Sequence, residues 1–99
     1  MILIAGSILA RPETFAALRE AGIEHSRRSR SEPGCIAHNI HVDCENPLRL
    51  VFVEKWQDRA AVAAHFKVKA SIDFVVAARK LAAGAPAMDV LDTTPVQIG

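Results

Sequence analysis

The side chains best suited to chemistry lie in one stretch of the sequence, residues 48–66. Side chains alternate between two faces of a strand, so Glu54 and Trp56 are expected on the same face as Phe52. His65 follows on a predicted helix that would carry it back over this face. We therefore expect a carboxylate, an indole and an imidazole to converge at one end of a largely apolar sheet.

Two histidines are candidates for a general base, because an ordinary histidine titrates near neutral pH. His65 is the first candidate, although it could also serve only to cap its helix. His38 lies on a strand and is the second candidate, with a core histidine as the alternative. Glu54 would either orient one of these histidines or pair with Arg79 and serve the fold.

The candidates for substrate contact are apolar or small. Trp56 would form a stacking wall for a flat ligand or belong to the core, and Phe52 and Phe66 are further candidates for such a wall. Gly22 interrupts a predicted helix at a cost of about 1 kcal/mol relative to alanine. It therefore predicts either close packing against the sheet or room left for a ligand.

The histidine and cysteine spacing predicts no metal site. His38 and His41 point to opposite faces of one strand, and Cys44 lies on the opposite face from His41. No CxxC spacing and no closed set of four ligands is present.

Composition indicates a globular protein, with about half the residues apolar, and residues 1–99 are expected to form one domain. A formal net charge of +1 gives no electrostatic basis for binding nucleic acid or an anionic membrane. The first apolar run, residues 2–9, is too short for a membrane span or a signal peptide. We therefore expect a cytoplasmic protein.

The pattern of elements predicts an α+β fold of the ferredoxin-like type, β-α-β-β-α-β, with the second helix broken in two. On β-strand 35–43, Ile36, His38, Ile40 and Val42 are expected on the face that the helices cover. The last helix is expected to present a stripe of five residues to the core, namely Ile72, Val75, Val76, Arg79 and Ala83. The expected element ranges are 2–9, 12–30, 35–43, 48–56, 59–66, 69–83 and 87–91.

A four-stranded antiparallel sheet with its helices on one face leaves the other face open. Here that face mixes apolar residues such as Leu3 and Val53 with polar ones such as Asn39 and Lys55. Such a surface is typical of a sheet that pairs with a second copy of itself. We therefore expect a homodimer through the open sheet face.

The segment Glu32-Pro33-Gly34-Cys35, the pair Glu54-x-Trp56 and His65 resemble the signature of the antibiotic biosynthesis monooxygenase family. The resemblance covers nearly the whole chain and implies a dimeric α+β barrel. It further implies a cofactor-independent monooxygenase that oxidises a small aromatic quinol, phenol or anthrone-like ligand with molecular oxygen. Similar haem-degrading barrels carry asparagine, tryptophan and histidine where this chain has Gly6 or Ser7, His65 and residues 74–76, so haem degradation is not expected.

Two other functions stay open on the same resemblance. One is an isomerase of a small carbonyl metabolite, with a histidine as proton shuttle. The other is a non-enzymatic ligand-binding or stress-related protein. The chain contains no tyrosine, although tyrosines line some pockets of the family.

Overall fold

The computed structural model describes all residues, 1–99, and has seven regular elements. The four strands form one antiparallel sheet in the order β2-β3-β1-β4. This is the predicted ferredoxin-like arrangement, with the helices on one face. In chain order the elements are β1 (Ile2–Leu9), α1 (Phe15–Ser29), β2 (Cys35–Asp43), β3 (Asn46–Trp56), α2 (Arg59–Lys67), α3 (Lys69–Leu81) and β4 (Ala87–Asp92).

The break between α2 and α3 lies at Val68, whose extended backbone ends one helix and begins the next. Asp58 caps α2 as its side chain predicts, and its Oδ1 accepts a hydrogen bond from the backbone nitrogen of Ala61 at 2.8 Å. This cap fixes the start of the short helix that carries His65.

A β-bulge at the beginning of β2 corrects one predicted face. Cys35 pairs with Trp56 and Ala37 pairs with Lys55, so Ile36 is an extra residue between them. Because the side-chain period is two, the extra residue moves Cys35 to the helix-covered face and leaves Ile36 58% exposed. The prediction that Ile36 faces the helices was therefore wrong, whereas that for His38 is correct.

The buried stripe of α3 also differs from the predicted one. Ser71 and Ala78 are buried and Phe74 is half-buried between them, whereas Ile72 and Val76 are half exposed. Small side chains at these inward positions let α3 approach α1, and a hydrogen bond from Arg28 satisfies the Ser71 hydroxyl. Hydrophobicity alone therefore selected the wrong side of this helix.

The layer between the helices and the sheet has two parts. One end is apolar, and its buried residues are Ile8, Ala10, Leu18, Leu50, Phe52, Ala78 and Ala82. The other end contains a smaller apolar cluster of Ile2, Ile4, Trp56 and Val62 beside the buried polar residues His25, Ser26, Ser29, His38, Glu54, His65 and Ser71. The polar end is therefore the place to look for a site. None of the helices is long and apolar enough to cross a membrane.

Candidate active site

β3 delivers Glu54 and Trp56 to the helix-covered face, as strand alternation predicts. Both are buried, and the indole Nε1 of Trp56 donates a hydrogen bond to Oε1 of Glu54 at 2.9 Å. Trp56 is fully buried and packs with Ile2 and Ile4. It therefore belongs to the core and supports the carboxylate from behind.

His38 lies beside Glu54 on the neighbouring strand. Its Nδ1 is 2.8 Å from Oγ of Ser26 on α1, and its Nε2 is 3.2 Å from Oε1 of Glu54. The imidazole is completely buried, and its Nε2 has no well-aligned hydrogen bond. Of the two predicted partners of Glu54, a histidine is therefore the one in contact, since Glu54 forms no ion pair with Arg79.

Burial by itself raises the pKa of Glu54, but its polar neighbours reverse this effect. The close contact with His38 and the hydrogen bond from Trp56, together with the positive charges that His38 and His65 can carry, hold the pKa of Glu54 below its usual range. Glu54 is thus a carboxylate at neutral pH. It gives the polar end of the layer a fixed negative charge.

His65 approaches from α2 and is only 2% exposed. Its Nδ1 is 2.8 Å from Oε1 of Glu32, and its ring lies against the indole of Trp56 with centroids 4.5 Å apart. Glu32 comes from the Glu-Pro-Gly turn that follows α1. The turn and the helix thus meet at this histidine.

His25 on α1 belongs to the same cluster, and the sequence reasoning did not consider it. Its ring stacks on Phe74 at 4.2 Å, and Nη2 of Arg28 donates a hydrogen bond to its Nδ1 at 2.8 Å. Burial, with the positive charges of His38, His65 and Arg28, lowers the pKa of His25 to about 3. The sequence does contain a signal for a buried His25, because this residue continues the helical spacing of the core-facing Leu18 and Gly22.

His25, His38 and His65 form the one group of side chains that could hold a metal ion. Each ring has a nitrogen within 4.8 Å of one on each of the other rings, and the ring centroids are 5.0, 5.3 and 5.6 Å apart. The pair considered from sequence, His38 and His41, does lie on opposite faces, as alternation predicts. The cluster forms instead from three different elements.

A cavity of about 180 Å³ opens beside this cluster, and most of its surface is apolar. His65, Glu54, Phe52 and Phe66 line it, as does the unpredicted His25. Three predicted site residues, His38, Trp56 and Gly22, lie outside its lining. The remaining lining residues are Ile4, Gly6, Ser7, Ile8, Ser71, Phe74, Val75, Ala78, Arg79, Pro86, Ala87 and Met88.

Gly22 packs closely against the sheet, which is one of its two predicted roles. A Cβ atom on Gly22 would overlap Cδ1 of Ile40 and lie 3.2 Å from Cζ of Phe52. The glycine therefore lets α1 approach the sheet. This close approach brings His25 and Ser26, one turn later, into reach of His38.

The chain is thus an α+β protein of the ferredoxin-like type with a histidine and carboxylate cluster beside an apolar cavity, and comparison with known proteins gives the family. Residues 1–77 match the antibiotic biosynthesis monooxygenase family model. The chain belongs to this family. The resemblance found in the sequence is thereby confirmed.

Individual relatives agree on the fold. A crystal structure of an antibiotic biosynthesis monooxygenase, 25% identical, has a TM-score of 0.88 over 96% of this chain and all of its own. Rv0793 from Mycobacterium tuberculosis is 20% identical and has a TM-score of 0.90, covering 96% of each chain. An uncharacterised Synechocystis protein is 39% identical in an alignment of 77 residues that covers 75% of this chain. The matched segment spans half the length of that curated relative.

Proposed function

We propose that the protein is a cofactor-independent monooxygenase that oxidises a small aromatic quinol, phenol or anthrone-like substrate with molecular oxygen. The observation that carries this proposal is His65, a buried imidazole that lines an apolar cavity while its Nδ1 contacts the Glu32 carboxylate at 2.8 Å. A carboxylate behind a histidine orients the ring and fixes which of its nitrogens carries the proton. His65 is therefore the proposed general base.

The chemistry follows from removing one proton from an electron-rich ring. The resulting phenolate or carbanion passes an electron to oxygen, so the substrate anion itself takes the part that a metal or flavin has in other oxygenases. A new C–O bond forms, and the hydroperoxide then loses water to leave a carbonyl. The apolar walls exclude water from the anion and keep a flat substrate in one orientation.

The remaining predicted residues have different roles in this proposal. Phe52 and Phe66 line the cavity and contact the substrate. Glu54 lines the cavity as a fixed negative charge that would stabilise the protonated form of His65. His38 and Trp56 hold Glu54 in place from behind, and Gly22 sets the distance between α1 and the sheet.

We further propose that the protein acts as a homodimer through the open sheet face, in the cytoplasm. Leu9, Val53 and Leu91 on that face are 41%, 36% and 48% exposed, which is costly for a face in contact with water. Sedimentation equilibrium at micromolar concentration tests this state. Val53→Arg should give monomers, because it buries unpaired charge at the interface.

Oxygen uptake by the chelator-treated protein tests the proposed reaction. Hydroquinones, naphthoquinols and anthrones form the substrate panel, and His65→Ala is compared with His41→Ala, whose histidine lies on the open sheet face. We expect uptake by the wild type and His41→Ala, and a loss of about 100-fold or more in His65→Ala. Uptake at the autoxidation rate across the whole panel would refute the oxygenase.

An isomerase of a small carbonyl metabolite is the second candidate, because His25 and His65 both line the cavity and could move a proton between two substrate atoms. Such an enzyme works without oxygen. Anaerobic turnover that depends on His65 would favour it over the oxygenase. A protein that binds ligands without converting them, aerobically or anaerobically, would be a binding protein.

A further inference from the structure

Of the two histidines that line the cavity, His25 can donate a hydrogen bond to a ligand and His65 can accept a proton from it. This difference indicates which kind of ligand the cavity binds. We infer that the cavity binds a phenol through its single oxygen and holds it as the phenolate, with His65 accepting the proton and His25 donating a hydrogen bond to the oxygen. This inference rests on the proposed function for the ligand class and deepens it. It gives His25 a direct contact with the substrate.

The proton on His25 is fixed by Arg28. A guanidinium has only donors, so the contact of 2.8 Å between Nη2 of Arg28 and Nδ1 of His25 requires a lone pair on Nδ1. The single proton of the neutral ring is then on Nε2. Because its pKa is lowered to about 3, the ring keeps this form at neutral pH. His25 is therefore a permanent N–H donor.

His65 has the reverse arrangement. The carboxylate of Glu32 only accepts, so Nδ1 of His65 donates to it at 2.8 Å and Nε2 has the lone pair. His65 can therefore take a proton at Nε2, and the imidazolium that forms is paired with Glu32.

One ion pair sets both rings. Nη1 of Arg28 is 2.8 Å from Oε2 of Glu32, and both side chains are largely buried. A continuous chain of contacts thus runs from His25 through Arg28 and Glu32 to His65. Arg28 also donates to Oγ of Ser71 at 3.0 Å, which ties the chain to α3. Arg28 and Glu32 are positioning residues, since they act only through the histidines.

The spacing suits one oxygen atom. The ring centroids of His25 and His65 are 5.3 Å apart, and a nitrogen of one ring lies within 4.8 Å of a nitrogen of the other. Because each Nδ1 already has a protein partner, a ligand between the rings must use the Nε2 atoms. One oxygen with hydrogen bonds of about 2.8 Å can bridge two rings that lie this close together. On binding, the phenol O–H bond breaks and an N–H bond forms at His65. No electron is transferred in this step.

The cavity size suits a single aromatic ring. An engineered apolar cavity of roughly 150 Å³ holds benzene, and this cavity measures about 180 Å³. Phe74, which stacks on His25, and Phe52 offer aromatic surface beside the oxygen position.

A metal ion on the three histidines is the competing ligand. Zinc needs a lone pair from each imidazole, and a second partner normally receives the proton of the other ring nitrogen. His65 meets this requirement through Glu32, but Arg28 occupies the lone pair of His25 and leaves a proton on the other nitrogen. The donor set therefore favours a phenol oxygen over a metal.

The test uses 4-nitrophenol, whose phenolate is yellow and whose phenol is colourless. It is bound to chelator-treated protein without oxygen, one pH unit below the pKa of the free phenol. We expect the yellow phenolate form on the wild type. His25→Phe keeps the ring stacked on Phe74 but removes the donor, and it should weaken binding by about 10- to 100-fold. His41→Phe is the matched control and should bind as the wild type does.

Nitrogen NMR of the histidine rings tests the positioning by Arg28 without a ligand. We expect the proton of His25 on Nε2 in the wild type, and a mixture of both tautomers in Arg28→Met. A wild-type proton on Nδ1 of His25 would overturn the inference, as would a colourless bound ligand. Zinc that binds all three histidines and displaces 4-nitrophenol would overturn it in favour of a metal site.

These results separate the inference from the proposed reaction. Yellow 4-nitrophenol on a protein that consumes no oxygen supports phenolate binding and refutes the oxygenase. Oxygen uptake that depends on His65, with colourless bound phenol, supports the oxygenase and refutes the phenolate.

Discussion

The two ends of the layer beneath the helices are built on the same strand but differ in what they bury. Along β3, Leu50 and Phe52 belong to an apolar cluster, whereas Glu54 and Trp56, only two and four residues beyond Phe52, contact His38, and Trp56 also packs on His65. The apolar end gains stability because its nonpolar side chains are buried away from water. The polar end must compensate each buried group with a partner, and its partners also determine where the protons lie.

Residues of the apolar end that lie outside the cavity lining, such as Leu50, should therefore matter for stability and not for the ligand. Leu50 is 1% exposed, so Leu50→Ala leaves a cavity and should lower the free energy of unfolding by about 3–5 kcal/mol. Urea denaturation measures this, and Ile72→Ala, at a half-exposed position on α3, should lose less than about 1 kcal/mol. Affinity of the folded Leu50→Ala protein for 4-nitrophenol should stay unchanged. A loss of affinity as large as that of His25→Phe would show that the two ends are not independent.

The polar end should make the protein sensitive to acid. The pKa of His25 is about 3 in the folded protein, so the unfolded chain binds its proton first as the pH falls. The contribution of neutral His25 to the free energy of unfolding is thus complete above about pH 6.5. It declines as the pH falls toward 3, by up to roughly 3–5 kcal/mol. Because the pKa of Glu54 is also lowered in the folded protein, protonation of this carboxylate removes further stability at lower pH.

Urea midpoints between pH 7 and pH 4 measure this effect. His25→Phe has no proton to gain at this position and should lose much less stability over the range than the wild type. His41→Phe, at the open face, should follow the wild type. Parallel curves for the wild type and His25→Phe would mean that His25 is not the acid-sensitive group.

The two ends also differ in how well the sequence predicts them. Strand alternation was sufficient for Glu54 and Trp56, since the β1–β3 pairing keeps a regular register around them. It failed at Ile36, because a single inserted residue reverses every face assignment before it, and a bulge has no strong signal in the sequence.

Helix faces were harder to predict than strand faces. His25 was overlooked because polar residues are normally expected on the exposed side of a helix, and here the buried stripe of α1 contains His25, Ser26 and Ser29. On α3 the buried Ser71 misled the prediction in the same way. Two of these inward polar residues find their hydrogen-bond partners on other elements, since Ser26 contacts His38 on β2 and Ser71 accepts from Arg28 on α1.

Gly34 joins the turn that supplies Glu32 to the start of β2, so it tests how tightly the polar end is held. Its φ is +83°, and an added Cβ would lie 2.5 Å from Cβ of Ala61 on α2. Gly34→Ala should cost about 2–4 kcal/mol of stability, and by displacing α2 it should also weaken 4-nitrophenol binding. Gly84→Ala, with open space around it, should change neither. Reduced stability with intact binding would mean that the site tolerates movement of α2.

Two ion pairs, one buried and one exposed, should differ in their effect on ligand binding, and removing the exposed pair should have the smallest effect of all. The contact distance is 2.8 Å in Arg28–Glu32 and 3.1 Å in Arg59–Asp92. Because the second pair is largely exposed, Arg59→Met should change the free energy of unfolding by at most about 1 kcal/mol. It should leave the tautomer of His25 and the affinity for 4-nitrophenol unchanged, whereas Arg28→Met should alter both. Because both substitutions remove one positive charge, a difference in ligand affinity must come from the contacts that Arg28 makes with His25, Glu32 and Ser71 and not from net charge. Equal losses of affinity would instead point to a general electrostatic attraction for the phenolate.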